Sequence, residues 1–84
     1  MTQNQKIFLL VAETLSISKA AKRAFVTQQC VSDHIKRMEE EYGTKLFHRN
    51  PYMHLTPAGE VVFNSLNNIE MIEKNLMKSI SDFS

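Results

Sequence analysis

Between Thr27 and Tyr42 the chain carries two amides, a hydroxyl, a carboxylate and an ammonium at helical spacing: Gln28, Gln29, Ser32, Asp33 and Lys36. These side chains hydrogen-bond base edges and phosphates: glutamine suits adenine, lysine guanine, and a carboxylate the cytosine amino group. In the same segment Val31, Ile35, Met38 and Tyr42 recur at steps of four, three and four. That spacing puts them on one stripe and predicts a helix over about residues 28–42, with the stripe against a core. At about 100° per residue, Gln29, Asp33, Lys36 and Glu40 point most nearly away from the stripe, with Ser32 and Arg37 at its edges. The polar side is left free to meet a partner.

The residues ahead of this helix have to position it. Lys19-Ala20-Ala21-Lys22-Arg23-Ala24 is a short run of helix formers whose alanines let another helix come close, and Ser16 or Ser18 can cap its first turn. Phe25 and Val26 interrupt the pattern, which makes Thr27 the expected N-cap of the longer helix. A short helix, a tight turn and a longer helix with a polar outer face form a helix-turn-helix pattern. In that arrangement the first turns of the second helix enter the major groove, so Gln28, Gln29, Ser32, Asp33 and Lys36 are the candidate base contacts. Ser18 and Lys19 begin the short helix, and Thr27, Arg37 and Arg49 flank the reading face. These five are the candidate phosphate contacts.

Five segments, in order and covering almost the whole chain, resemble the N-terminal DNA-binding domain of LysR-type transcriptional regulators. They are Ser16-Ile-Ser-Lys-Ala-Ala21, Val26-Thr-Gln-Gln-Cys-Val-Ser32, Ile35-Lys-Arg-Met-Glu39, Tyr42-Gly-Thr-Lys-Leu-Phe-His-Arg49 and Leu55-Thr-Pro-Ala-Gly59. The resemblance implies a mainly α, winged helix-turn-helix domain over residues 1–56, built as a three-helix core with a short β-hairpin wing. It also implies a linker helix over 57–84 that pairs with its counterpart in a homodimer, and double-stranded DNA as the partner. Regulators of this type normally continue into a large effector-binding domain. The chain is therefore expected to be a DNA-binding fragment with no small-molecule effector site of its own, and higher oligomers belong to a full-length regulator. Family members usually carry a second Arg or Lys in a slightly longer wing. Here Tyr52 and His54 stand at those places, leaving Arg49 as the wing's one full positive charge.

At 84 residues the chain makes one small domain. A core of that size removes only about 60% of the unfolded chain's surface from water, so stability is expected to lean on a partner. Hydrophobic residues make up 43% and charged residues 23%, ordinary for a globular domain. No apolar run approaches the roughly 20 residues needed to span a bilayer, and the first residues lack the basic start of a secretory signal. The expectation is a cytoplasmic protein with no membrane contact. The single cysteine, Cys30, excludes an internal disulfide and reads as a small residue packed at a helix border. No second cysteine lies near His34, His48 or His54, so neither a metal nor a cofactor is expected. Enzymatic chemistry has no signature either: there is no nucleophile with a histidine partner at recognisable spacing, no glycine-rich phosphate loop and no acid pair on one face.

The net charge of +1 is unevenly spread. Residues 1–56 hold eight Lys and Arg against five acids, a balance of +3, and residues 57–84 hold two against four, a balance of −2. The basic part is the candidate DNA surface.

Taken in order, Thr2 with Gln5 resembles a capping box opening a helix to about Leu15, with Ile7, Phe8, Leu10, Val11, Ala12 and Leu15 on its wide apolar face. Gly43 is the expected left-handed cap of the reading helix, and Glu39 is expected to form an ion pair with Arg49. Leu46–Arg49 and Tyr52–Leu55 flank the turn dipeptide Asn50-Pro51, which predicts a hairpin: the wing, with His48, Arg49, Tyr52 and His54. Thr56-Pro57 opens a last helix expected to run to about Phe83, roughly 40 Å long. Its stripe of Val62, Leu66, Ile69, Ile72, Leu76, Ile80 and Phe83, widened by Met71 and Met77, must be covered, and a second copy of the chain is the expected cover. The competing reading is a winged-helix protein-interaction module. It is disfavoured because the reading face offers small polar groups where a protein interface needs aromatic anchors. Asp33 is the exception on that face, a carboxylate that should accept from a cytosine amino group or pair with Lys36 or Arg37.

Overall fold

Four side-chain caps set where the helices begin in the computed structural model, which describes residues 1–84. Thr2 accepts from the Gln5 amide and Gln5 answers to the Thr2 amide, opening α1 (Gln3–Thr14) with a complete capping box. Ser16, and not Ser18, caps α2 (Ile17–Ala24) through the Lys19 amide. Thr27 caps α3 (Gln28–Tyr42) through the Cys30 amide, and Thr56 caps α4 (Pro57–Ser81) through the Gly59 amide. Between α3 and α4 lie β1 (Phe47–His48) and β2 (His54–Leu55), an antiparallel pair with Phe47 opposite Leu55 and His48 opposite His54. The hairpin is where the sequence places it, but only these four residues are paired as strands.

α1, α2 and α3 close around one core of Ile7, Phe8, Leu9, Val11, Ala20, Ala21, Val31, Ile35 and Met38, which Leu46 and Phe47 complete from the wing side. The Phe8 and Phe47 rings meet at 5.3 Å with a 47° tilt, joining the first helix to the start of the hairpin. His34 on α3 donates from Nδ1 to Asn4 Oδ1 on α1. Tyr42 departs from expectation: the last position of the α3 stripe is 44% exposed, because α3 ends there at the left-handed Gly43 and the core has already closed behind Met38.

α2 ends at Phe25 in the left-handed region (φ 57), and its ring is 94% exposed. A side chain in that conformation costs about 1–2 kcal/mol relative to the right-handed one. The tight helix-turn-helix corner demands the conformation, in which the Phe25 and Val26 amides donate to the Lys22 and Ala21 carbonyls at 3.3 and 3.1 Å while the ring itself stays in solvent.

Thr56 is the one buried polar residue. Its hydroxyl accepts from Gly59 N at 2.9 Å and donates to the Lys45 carbonyl at 2.8 Å, while its amide donates to the Leu46 carbonyl at 3.0 Å. The first turn of α4 is thereby fastened to the segment between α3 and β1. Gly59 lies against the same segment: a Cβ built there would stand 2.1 Å from the Leu46 carbonyl oxygen.

α4 differs from expectation in two ways. It ends at Ser81, leaving Phe83 beyond the helix and almost fully exposed. Its apolar stripe is also divided. Leu66 is 3% exposed within the domain's own core, and Val62 is half-buried against it. These two serve the domain's own packing, because α4 packs against α1 and β2, whereas every residue of α4 from Met71 on is exposed. From Ile69 onward Ile72, Leu76 and Ile80 are all more than half exposed. The molecule measures 49 × 27 × 20 Å, and α4, about 37 Å long, accounts for the long axis.

Candidate nucleic-acid interface

α3 and the wing meet in a cleft of about 500 Å³ lined by Gln29, Ser32, Asp33 and Lys36 from the helix and His48 and Arg49 from the hairpin, with Glu39, Lys45 and Phe47 completing the lining. The fold thus gathers four of the five candidate base contacts and one phosphate contact into one polar concavity. Gln28, in the first turn of α3, is exposed but lies outside the cleft. Ser18, Lys19, Thr27 and Arg37 also lie outside it. Lys19, Thr27 and Arg37 are exposed and Ser18 is half-buried in the first turn of α2. The Thr27 hydroxyl accepts the capping bond from Cys30 N at 3.1 Å, which leaves its own proton available to donate. Tyr52 and His54 belong to the far strand and turn of the wing, outside the cleft.

Two electrostatic details differ from the sequence reading. Asp33 pairs with neither Lys36 nor Arg37. Its Oδ1 accepts from Gln29 Nε2 at 3.0 Å, one helical turn earlier on the same face. The amide and the carboxylate thus hold one another, and each retains further bonding capacity toward a partner in the cleft.

Glu39 does not reach Arg49. Its Oε2 accepts from the backbone amides of Leu46 (2.8 Å) and Phe47 (3.4 Å), and its Oε1 lies 3.8 Å from Lys45 Nζ. The backbone at the start of the hairpin offers two donors close to the last turn of α3, whereas Arg49 lies further along on the exposed side. Glu39 is thus a clasp between helix and wing, and Arg49 remains free at the cleft edge. Lys45 is a cleft residue that sequence reasoning missed. Its signal was Gly43, which ends α3 and turns the chain back so that residue 45 comes within reach of Glu39.

The sequence profile described as "Bacterial regulatory helix-turn-helix protein, lysR family" matches residues 2–60. The chain belongs to the LysR family. A relative, the uncharacterized HTH-type transcriptional regulator YkuM of Bacillus subtilis (strain 168), is 34% identical over 83 residues, 95% of this chain and 28% of that protein. The chain therefore spans little more than a quarter of the relative's length. Among solved structures, the BenM_DBD/benA site 1 DNA complex superposes with a TM-score of 0.92 at 23% identity, each chain covered in full. The CbnR_DBD–DNA complex superposes with a TM-score of 0.84 at 26% identity, again over the whole of both chains.

These superpositions include the long helix, so the LysR-family winged helix-turn-helix fold with its C-terminal helix holds across the full chain. No helix of the structure is long and apolar enough to cross a membrane.

Proposed function

We infer that the chain is the sequence-specific DNA-binding part of a LysR-type transcriptional regulator, with α3 in the major groove and the wing alongside. The observation that supports this most directly is the cleft itself, where Gln29, Ser32, Asp33 and Lys36 stand in one row opposite Arg49. Hydrogen-bonding groups at helical spacing, bordered by fixed positive charge, suit a groove edged by phosphates. The solved complexes named above are of family members with DNA, which is consistent with this role. The role is binding and not catalysis, it belongs in the cytoplasm, and no effector site is assigned to this chain. The chain works as a homodimer through the free half of α4.

Replacing Gln29 with alanine tests base reading. It removes a donor and releases the Asp33 carboxylate toward the groove, so discrimination among sites should fall by about 1–3 kcal/mol while affinity for random duplex hardly changes. Fluorescence anisotropy against a panel of duplexes reads both quantities. A uniform loss over all sequences would make Gln29 a phosphate contact instead.

Anchoring is read from salt. Neutralising Lys19 or Arg49 should flatten the salt dependence of binding by roughly one counterion each, because each is exposed and free of any acid in the chain. An unchanged slope removes that residue from the contact surface.

A further inference from the structure

The wing carries one full positive charge, Arg49, yet its paired positions are occupied by two imidazoles facing each other: His48 and His54 are register partners with ring centroids 5.0 Å apart. The Tyr52 ring lies 5.4 Å from that of His54, tilted by 55°, and completes the cluster. We propose that His48 and His54 bind DNA phosphate as imidazolium, so that the wing takes up protons when it docks and DNA affinity rises as pH falls. The proposal rests on the DNA-binding reading above.

The hydrogen bonding of His54 fixes its chemistry. A carbonyl only accepts, so the 2.9 Å bond to the Tyr52 carbonyl requires the proton on Nδ1. Nε2 then carries the lone pair and is where a second proton adds. Protonation leaves the Tyr52 bond in place and converts Nε2 from an acceptor, which phosphate oxygens repel, into a charged donor, which they attract. His48 faces the α3 cleft, where the charged groups are Asp33, Lys36, Glu39, Lys45 and Arg49. Both acids there are already engaged, Asp33 by the Gln29 amide and Glu39 by two backbone amides and Lys45. The three cations outnumber the two carboxylates, and no ion pair in the chain ties His48 to either acid. On the other side, α4 packs against β2 and has one charged residue in its first turn, the exposed Glu60.

A phosphate beside the pair accepts charge-assisted hydrogen bonds from imidazolium N–H groups and is repelled by the lone pair of a neutral ring, so DNA binds the protonated pair more tightly than the neutral one. DNA therefore draws protons onto the pair, and by linkage the complex weakens as pH rises through the range in which imidazole discharges.

The test is anisotropy with a labelled random-sequence duplex, since phosphate contacts carry no sequence information, at pH 6 and pH 8 and at two salt concentrations. The expected result is about a tenfold weaker Kd at pH 8 than at pH 6, with a salt slope steeper at pH 6 by one to two counterions. In the double variant His48→Asn/His54→Asn both differences should vanish, and in His48→Lys/His54→Lys the tight binding should persist to pH 8. The variant pair also removes any contribution of His34, the third imidazole, from the comparison. Equal affinity of the unmodified chain at the two pH values, or a pH dependence undiminished in the Asn variant, overturns the proposal while leaving DNA binding standing. Absence of salt-dependent binding at pH 6 overturns both.

Discussion

Replacing Gly59 with alanine is expected to destabilise the domain by about 3 kcal/mol, although in a solvated helix the same change would stabilise by about 1 kcal/mol. The added carbon would stand 2.1 Å from the Leu46 carbonyl oxygen and 3.0 Å from both the Leu46 carbonyl carbon and Leu55 Cδ2. Two of those three atoms are backbone, and that oxygen already accepts from the Thr56 amide at 3.0 Å, so it cannot retreat without breaking a bond that holds α4 to the wing. Either α4 tilts out and uncovers Leu66, or the hairpin shifts and the cleft with Arg49 changes shape. Thermal unfolding followed by circular dichroism should show the midpoint lowered by more than about 10 °C. A raised midpoint would mean that helix propensity decides at this position and that the close approach to Leu46 is not needed.

The contrast between Gly59 and Gly43 shows what the sequence could carry. Gly43 sits where a left-handed residue must end α3, and that requirement is local, legible from the apolar stripe running out just before it. Gly59 is demanded by a carbonyl thirteen residues earlier in the chain, and nothing around it announces that contact. The same distinction runs through the molecule. The caps at Thr2, Thr27 and Thr56 each involve an amide three residues on, so their residue types alone placed the helix starts. Glu39 was matched with Arg49 because charge invites charge. Its real partners are mainly the amides of Leu46 and Phe47, and backbone donors leave no mark in a sequence.

The reading face is a helical periodicity and was legible, as was the presence of the wing. The cleft was not, since it depends on how closely Thr56 and Glu39 draw the hairpin onto α3. Phe25 is the reverse case: the turn was visible, but no property of phenylalanine signals a left-handed backbone, and only the geometry of the corner imposes it. The stripe on α4 is legible as a stripe, but its division into a buried and an open half is not. Periodicity shows which residues share a face, but not where along that face the neighbouring helix stops.

That division shapes the prediction with the largest effect on DNA binding. Replacing Leu76 and Ile80 together with aspartate should give a monomer whose helix-turn-helix and wing remain folded, because both side chains lie on the half of α4 that no other element covers. In the chain alone Ile69, Ile72, Leu76, Met77 and Ile80 stand open to water along consecutive turns, a patch of the kind that monomers seldom leave exposed. A symmetric pair of α4 helices would cover it with the same residues from a second copy. The direction in which this half projects is fixed at Leu66 and by the Met1 ammonium, which lies 3.0 Å from Glu73 Oε1. Pairing would therefore hold two reading helices at a set separation, and two half-sites would be bound as one event. Losing the pair should weaken binding to a two-half-site duplex by a factor of about 10²–10⁴, the ordinary gain from linking two sites, while affinity for a single half-site changes little. Leu66→Asp serves as the contrast: Leu66 is in the core, so that variant should lose the folded domain and not merely the dimer. Sedimentation equilibrium of the unmodified chain decides the matter. A monomer at high micromolar concentration would remove the dimer, and a Leu76/Ile80 variant that unfolds as Leu66→Asp does would show that the outer half of α4 supports its own domain after all.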